Sequence, residues 1–540
     1  MKRFFLSVLS LAAPFAAAAK DIAVVAHDPG YYTSLGKHIG RWLEMHGLES
    51  SLDTPSTMSA SLAKAKIAFL VGFDNPADAE MSALTSFVSR GGKLVVFYSS
   101  SPRLASLMGV RTLGYAAASY PGRWSRMDFL PGAPDGAPAS ILQTSTVLQR
   151  AQSIPGKSRT MAVWKDRKGA STGDAAWISS KAGYWMTHVL LADGDERLKA
   201  RLLAAIAGDA APGLWSYAKF KKERAEEIET TRRYAAAQSP KTDEIHAVWD
   251  HSGCGLYPGD WPKTIRILKA NGVTDLFVNV AGAGFAHYTS DVLPRSKTYE
   301  QEGDQLAACL SAAKGSGIRV HAWILCFNAT RSTASRLKDF EKKGWRLKAK
   351  DGTLTEYLDP SNAKLRKYLL SAIDELQAKY KVDGIHLDFV RWYEKSVRPP
   401  DAVQTISKFV AEAKLHVLRP ARFTVAVLGK YPACIDSVGQ DWVGWLGSNI
   451  VDFVVPMDYT EDFKKFDSFL AQHSALKTHA AKTIVGIGVT ANESRLDAMQ
   501  VMNQIRRTRK YGMAGQALFD LDTTLEKDIL PYLRLGLWRR

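Results

Sequence analysis

Apolar residues cluster in short runs separated by amphipathic stretches. "DIAVVAHD" (21–28), "IAFLVGF" (67–73) and "KLVVFYSSS" (93–101) are nearly continuous apolar runs, the pattern of strands buried on both faces. Between them, Tyr32 to Met45 and Asp78 to Arg90 have helical spacing, and they stop at Gly47 and at Gly91-Gly92. Strands alternating with helices predict a parallel, doubly wound sheet. Residues 116–213 read as irregular, with early Gly and Pro. They close on a strand and a helix in "YWMTHVLLADGDERLKARLLAAIAG", which return to the same sheet.

Residues 216–240, "SYAKFKKERAEEIETTRRYAAAQSP", are charge-dense and helix-favouring, as expected of a connector. From residue 243 eight strand candidates recur. They are "IHAVWDH" (245–251), "DLFVNV" (275–280), "IRVHAWILCFN" (318–328), "VDGIHLDF" (382–389), "FTVAVLG" (423–429), "VDFVVPMDY" (451–459), "TIVGIGV" (483–489) and "GQALFDLD" (515–522). Helical stretches such as Trp261 to Ala270, Asp304 to Lys314 and Ala363 to Ala378 lie between them. Eight such units predict a (β/α)8 barrel whose longest insertion, 329–381, follows the third strand. The expected organisation is a signal peptide at 1–19, a doubly wound α/β domain at 20–215, the connector at 216–240 and a barrel at 241–540.

Composition narrows this picture. A chain of 540 residues exceeds one core, and 46% hydrophobic content suits a globular protein. Lys2 and Arg3 precede an uncharged run to Ala19, and "AAA" (17–19) offers small residues for cleavage, so export to the periplasm or medium is expected. No later run is long enough to span a membrane. The net charge of +17 falls to +15 without Lys2 and Arg3 and suits acidic glycans or an anionic envelope, although the charges are dispersed. No nucleic-acid motif appears. Cys254, Cys309, Cys326 and Cys434 form no CxxC pair, which argues against a zinc ribbon. Export permits disulfides among them, and buried free thiols fit equally.

Active sites of this fold lie at the carboxyl ends of the strands. In "DGIHLDFVRW" (383–392), period two puts Ile385, Leu387 and Phe389 toward the helices and His386 and Asp388 into the barrel. An ionised Asp388 there needs pairing or water, and Arg391 is at hand as a brace. Other strand ends offer Trp249, Asp250 and His251, then Asn279, then Trp323 and Asn328, and finally Asp458, Tyr459 and Asp520. Carboxylates, amides and aromatic rings at one mouth suit a carbohydrate, with two carboxylates as acid and nucleophile or base. "AGAG" (281–284) is a turn rather than a phosphate loop. The first strand lacks the His-x-His that opens many metal hydrolases, so neither metal nor cofactor is expected.

Residues 242–520 resemble the glycosyl-hydrolase-like family 10 barrels through "AVWDHSG", "YLDPSN" (357–362), "VDGIHLDFVRW", Trp442 before "VDFVVPMDYT", and "VGIGV". Residues 20–115 resemble the class I glutamine-amidotransferase fold. Their "YSSSP" turn lacks the nucleophilic Cys, so glutaminase activity is not expected. The barrel resemblance implies glycosidic-bond hydrolysis with Asp388 as the principal carboxylate. Pro456-Met457-Asp458-Tyr459 departs from the family's Pro-Gln-Leu-Tyr and resembles the Met-x-Tyr strand of family 18 chitinases. That pattern turns Met457 and Tyr459 inward, whereas the apolar alternation Phe453, Val455, Met457 turns Asp458 inward. Asp458 is the expected acid/base, with Asp250 and Asp520 as substitutes and Glu356 and Glu394 as loop candidates. His386 and Arg391 are expected to orient Asp388. Trp249, His251, Trp323, Trp392 and Tyr459 would line subsites, and Asn279 and Asn328 would bind hydroxyls. A non-catalytic glycan-binding barrel and a metal-dependent deacetylase are the competing readings.

Overall fold

The computed structural model describes residues 20–540 except 28–29, 193–194 and 476, so the expected signal peptide lies outside the described residues. The chain forms two compact units, Met1–Arg224 and Ala225–Arg540.

The first unit is built on a nine-stranded sheet. Ser50–Asp53, Ile22–Ala26, Ile67–Val71, Lys93–Phe97 and Gly183–Met186 lie side by side in parallel. Residues 116–213 are not irregular. Ser171–Ser180, Ser158–Lys165, Trp124–Phe129 and Ser140–Ser145 extend the sheet antiparallel. Their period was masked by polar residues on the inward face. In Ser140–Ser145 the buried positions are Ile141, Gln143 and Ser145, and Gln143 satisfies its amide on Val189 O and Leu191 N–H.

The second unit is a closed parallel barrel: β1 Ile245–Asp250, β2 Asp275–Gly282, β3 Arg319–Leu325, β4 Gly384–Asp388, β5 Arg422–Leu428, β6 Phe453–Met457, β7 Ile484–Gly488 and β8 Gly515–Phe519. Successive strands pair in order, and β1 pairs with both β2 and β8, which closes the ring. Trp249, Phe277, Trp323, Leu325 and Val455 fill the interior, while Ile385, Leu387 and Val425 join the core beneath the surrounding helices. The 329–381 insertion carries helix Ala334–Lys342, a hairpin (Arg346–Lys348 with Leu354–Leu358) and helix Ala363–Lys379.

At the amino-terminal end of the barrel, buried Asp275 accepts from Arg319 at 2.8 and 2.5 Å and lies 2.9 Å from His321 Nε2. The cysteines are four buried free thiols. Among the described residues no helix is long and apolar enough to cross a membrane.

Candidate active site

β4 delivers Asp388 to the mouth. Leu325 and Asp388 are register partners, as are Trp323 and His386, so all four share the inward side. The strand stops because Phe389 enters the left-handed region at φ 52°. That turn overrides the expected alternation: Phe389 packs against the barrel interior, not the helices. Its N–H donates to Asp388 Oδ1 at 2.5 Å, and Arg391 Nη1 stands 3.7 Å from the same oxygen.

Burial raises the Asp388 carboxyl above the usual range, while Arg391, the Phe389 N–H and Trp323 pull the other way. The Trp323 indole N–H makes no hydrogen bond of standard geometry, yet it faces this carboxyl closely enough to favour its charge. Across the mouth, Tyr459 feels Asp388 and Asp520, and burial holds its phenol well above the ordinary value. Asp520 follows β8 and accepts from the His251 N–H at 3.1 Å. Burial, then the nearby Asp250 carboxyl, push it up to about 8.

Asp458 corrects the expectation for β6. Met457 and Tyr459 belong to the interior, so Asp458 points outward. It is fully buried against helix Phe463–His473, with Oδ2 2.9 Å and Oδ1 3.1 Å from His473 Nε2. An acid there is a strut under the helix layer and cannot reach a ligand in the mouth. Asp250 follows inward-facing Trp249 and so falls on the outer side of β1 with Val248. It is fully engaged there, accepting from the N–H groups of Ser252, Gly253 and Gly255 and from Ser252 Oγ, and so it shapes the loop after β1.

His386 touches neither Asp388 nor solvent. Its Nε2 accepts from Trp249 Nε1 at 3.0 Å, its Nδ1 lies 2.8 Å from Thr424 Oγ1, and Phe277 stacks on it at 4.3 Å. Burial keeps it neutral, far below the usual imidazole value. His386 therefore holds Trp249, which is 1% exposed and forms the floor of the mouth instead of an open subsite. Trp392 faces the helix layer, where its Nε1 donates to Val397 O, so it lines no subsite. Asn328 is spent on its own loop, accepting from Thr330 N and Oγ1. Asn279 remains available: it is fully buried in register with Trp323, and both its amide atoms lack a partner.

The structure adds residues that sequence patterning missed. Tyr357 and Tyr393 stack at 3.9 Å beside Phe389, and the Arg391 guanidinium lies 4.0 Å from the Phe389 ring. Arg331, His287 and Phe285 form the adjoining stretch of rim, after β2 and β3. These residues sit in loops and in the insertion, where no period marks an inward side. Glu356 and Glu394 are exposed near Tyr357. Among the described residues no group of three or more His, Cys, Asp or Glu side chains forms a metal cage. A 610 Å³ cavity lies at the opposite end of the barrel, beside Arg319 and Arg422, away from these carboxylates.

Residues 260–414 match the family model described as Glycosyl hydrolase-like 10. The match spans β2 to β4, including Asn279, Trp323 and Asp388. Among solved structures, the chain is similar to the PgaB (BpsB) glycoside hydrolase domain from Bordetella bronchiseptica, at 13% identity and TM-score 0.41, over 54% of this chain and 99% of that one. A chitinase from Bacteroides thetaiotaomicron is similar at 12% identity and TM-score 0.36, over 55% and 97%. A putative ThuA-like protein from Bacteroides uniformis is similar at 15% identity and TM-score 0.28, over 37% and 94%. No curated protein sequence matches the chain.

Proposed function

We propose that the barrel hydrolyses glycosidic bonds in a polysaccharide or glycoconjugate, with Asp388 as nucleophile or principal carboxylate and Asp520 as proton donor. The observation that carries this reading is the pair of carboxyls flanking Tyr459 at the mouth. Asp520 is pushed up to about 8 by burial and then by Asp250, which suits a proton donor; burial raises Asp388 too, but Arg391 and the Phe389 N–H support its charge. Two carboxyls on one mouth are what acid and nucleophile or base roles require. Tyr459 would donate to the ring or leaving oxygen, and Tyr357 would stack on a sugar face. The export expected from residues 1–19 would bring the protein to a glycan outside the cytoplasm.

Reducing-end release from a polysaccharide panel tests the assignment. Asp388→Asn and Asp520→Asn should each fold and lose about 10²–10⁴ in rate. Near-full turnover in Asp388→Asn sinks it. The outward turn of Asp458 favours a second reading, a glycan-binding barrel without catalysis. Tight glycan binding with no turnover by the unmodified chain would decide for that reading.

A further inference from the structure

Arg331 lies on the rim, just after β3. Its guanidinium carbon stands 4.7 Å from the centre of the Phe285 ring. Its Nη1 donates to the His251 carbonyl at 3.2 Å, and its Nη2 lies 3.3 Å from His287 Nε2. Two segments, the stretch Phe285 to His287 and the end of β1 at His251, thus hold the fork in one orientation, and His251 in turn packs against Trp323 and Phe519 at 5.8 and 5.9 Å.

Every one of these partners is neutral. One is a ring face and one a carbonyl. The third is an imidazole held down to about 3 by burial and then by Arg331 itself. His251, although the residue is exposed, is held down to about 4 by the same two causes. Among the described residues no carboxylate makes an ion pair with Arg331; Cys254, Asp250 and Asp520 act on it without a direct contact. The cation is exposed at the rim, held in one orientation and, among the described residues, without an ion-pair partner. A guanidinium fork fixed in this way matches a carboxylate or sulfate, and none of its own partners supplies one.

We propose that Arg331 selects an acidic sugar, one bearing a carboxylate or a sulfate ester, at the rim of the mouth. The proposal rests on the reading of that mouth as a carbohydrate site. It also gives the net charge of +17 a local counterpart, since a basic surface would draw an acidic glycan toward this fixed cation.

The test is binding of single sugars to the full chain carrying Asp388→Asn, read by ligand-observed NMR. Glucuronate and glucose 6-sulfate are each compared with glucose, and galacturonate with galactose. At least one acidic sugar should bind about tenfold tighter than its neutral counterpart, as a charge-assisted fork predicts. Added salt should erode that preference, and Arg331→Gln should abolish it. A preference for carboxylates alone or for the sulfate alone names the group. If no acidic sugar outbinds its neutral partner, or if the preference survives Arg331→Gln, the proposal is overturned. Should Arg331→Gln fail to fold, Arg331→Lys keeps the charge without the fork. It must then weaken the acidic sugar more than the neutral one, and equal weakening overturns the proposal. Loss of the hydrolase reading would show differently, as absent turnover with this preference intact.

Discussion

Replacing Asp458 by Ala separates the two roles its sequence position allows. Its oxygens lie 2.9 and 3.1 Å from His473 Nε2, and both side chains are fully buried. His473 Nδ1 has no partner, so the substitution leaves the ring without any hydrogen bond. Losing one member of a buried pair costs about 3–5 kcal/mol. Because burial raises the Asp458 carboxyl and blunts its charge, the lower end, about 3 kcal/mol, is expected here. At roughly 2–4 °C per kcal/mol for domains of 150–250 residues, Tm should fall by about 6 °C in this larger unit. Asp458→Asn keeps one acceptor oxygen and should lose roughly half as much stability. Calorimetry reads the stability, and reducing-end release at a temperature well below both transitions reads the activity, with Asp388→Asn as the inactive reference. The structural role predicts lowered Tm with turnover within about threefold of the parent, far short of the 10²-fold loss of a missing acid/base. An unchanged Tm with turnover down about 10²-fold would refute the reasoning and return Asp458 to the chemistry.

Further outcomes follow from the same geometry. The pH–rate profile should be bell-shaped, rising as Asp388 ionises and falling above about 8 as Asp520 loses its proton; Asp520→Asn should remove the alkaline limb, and an unchanged limb would exclude Asp520 as its source. Burial opposes the charge on Asp275, but His321 and Arg319 outweigh it and hold the carboxyl well below the usual range. A depressed folded value stabilises above the unfolded value near 3.9 and is lost as pH falls, so Asp275→Asn should lower Tm at neutral pH and flatten the acid side of the stability curve. Gly384→Ala should destabilise by at least about 1 kcal/mol in urea melts, because a Cβ there collides with the His321 ring and with Arg422 O; an unchanged midpoint would mean the base of the barrel yields freely.

The chain's periodicity was enough to name the barrel. Apolar runs spaced by helical stretches admit few packings, and the strand pairings close where "IHAVWDH" meets "GQALFDLD". Period two likewise placed His386 and Asp388 inward, because a regular strand leaves no other choice. It failed where the backbone leaves regularity. Phe389 turned inward because its φ is positive, and β6 kept Met457 and Tyr459 inside, which put Asp458 under a helix. Sequence patterning could not see that His386 bonds Trp249, that Asp250 is consumed by its own loop, or that Arg331 rests on a carbonyl, an imidazole and a ring face. Those facts depend on which residues far apart in the chain meet, and on how much water is left between them. The sequence by itself determined which residues carry the chemistry; burial and partnership, which exist only in the folded chain, decided which of them are free to use it.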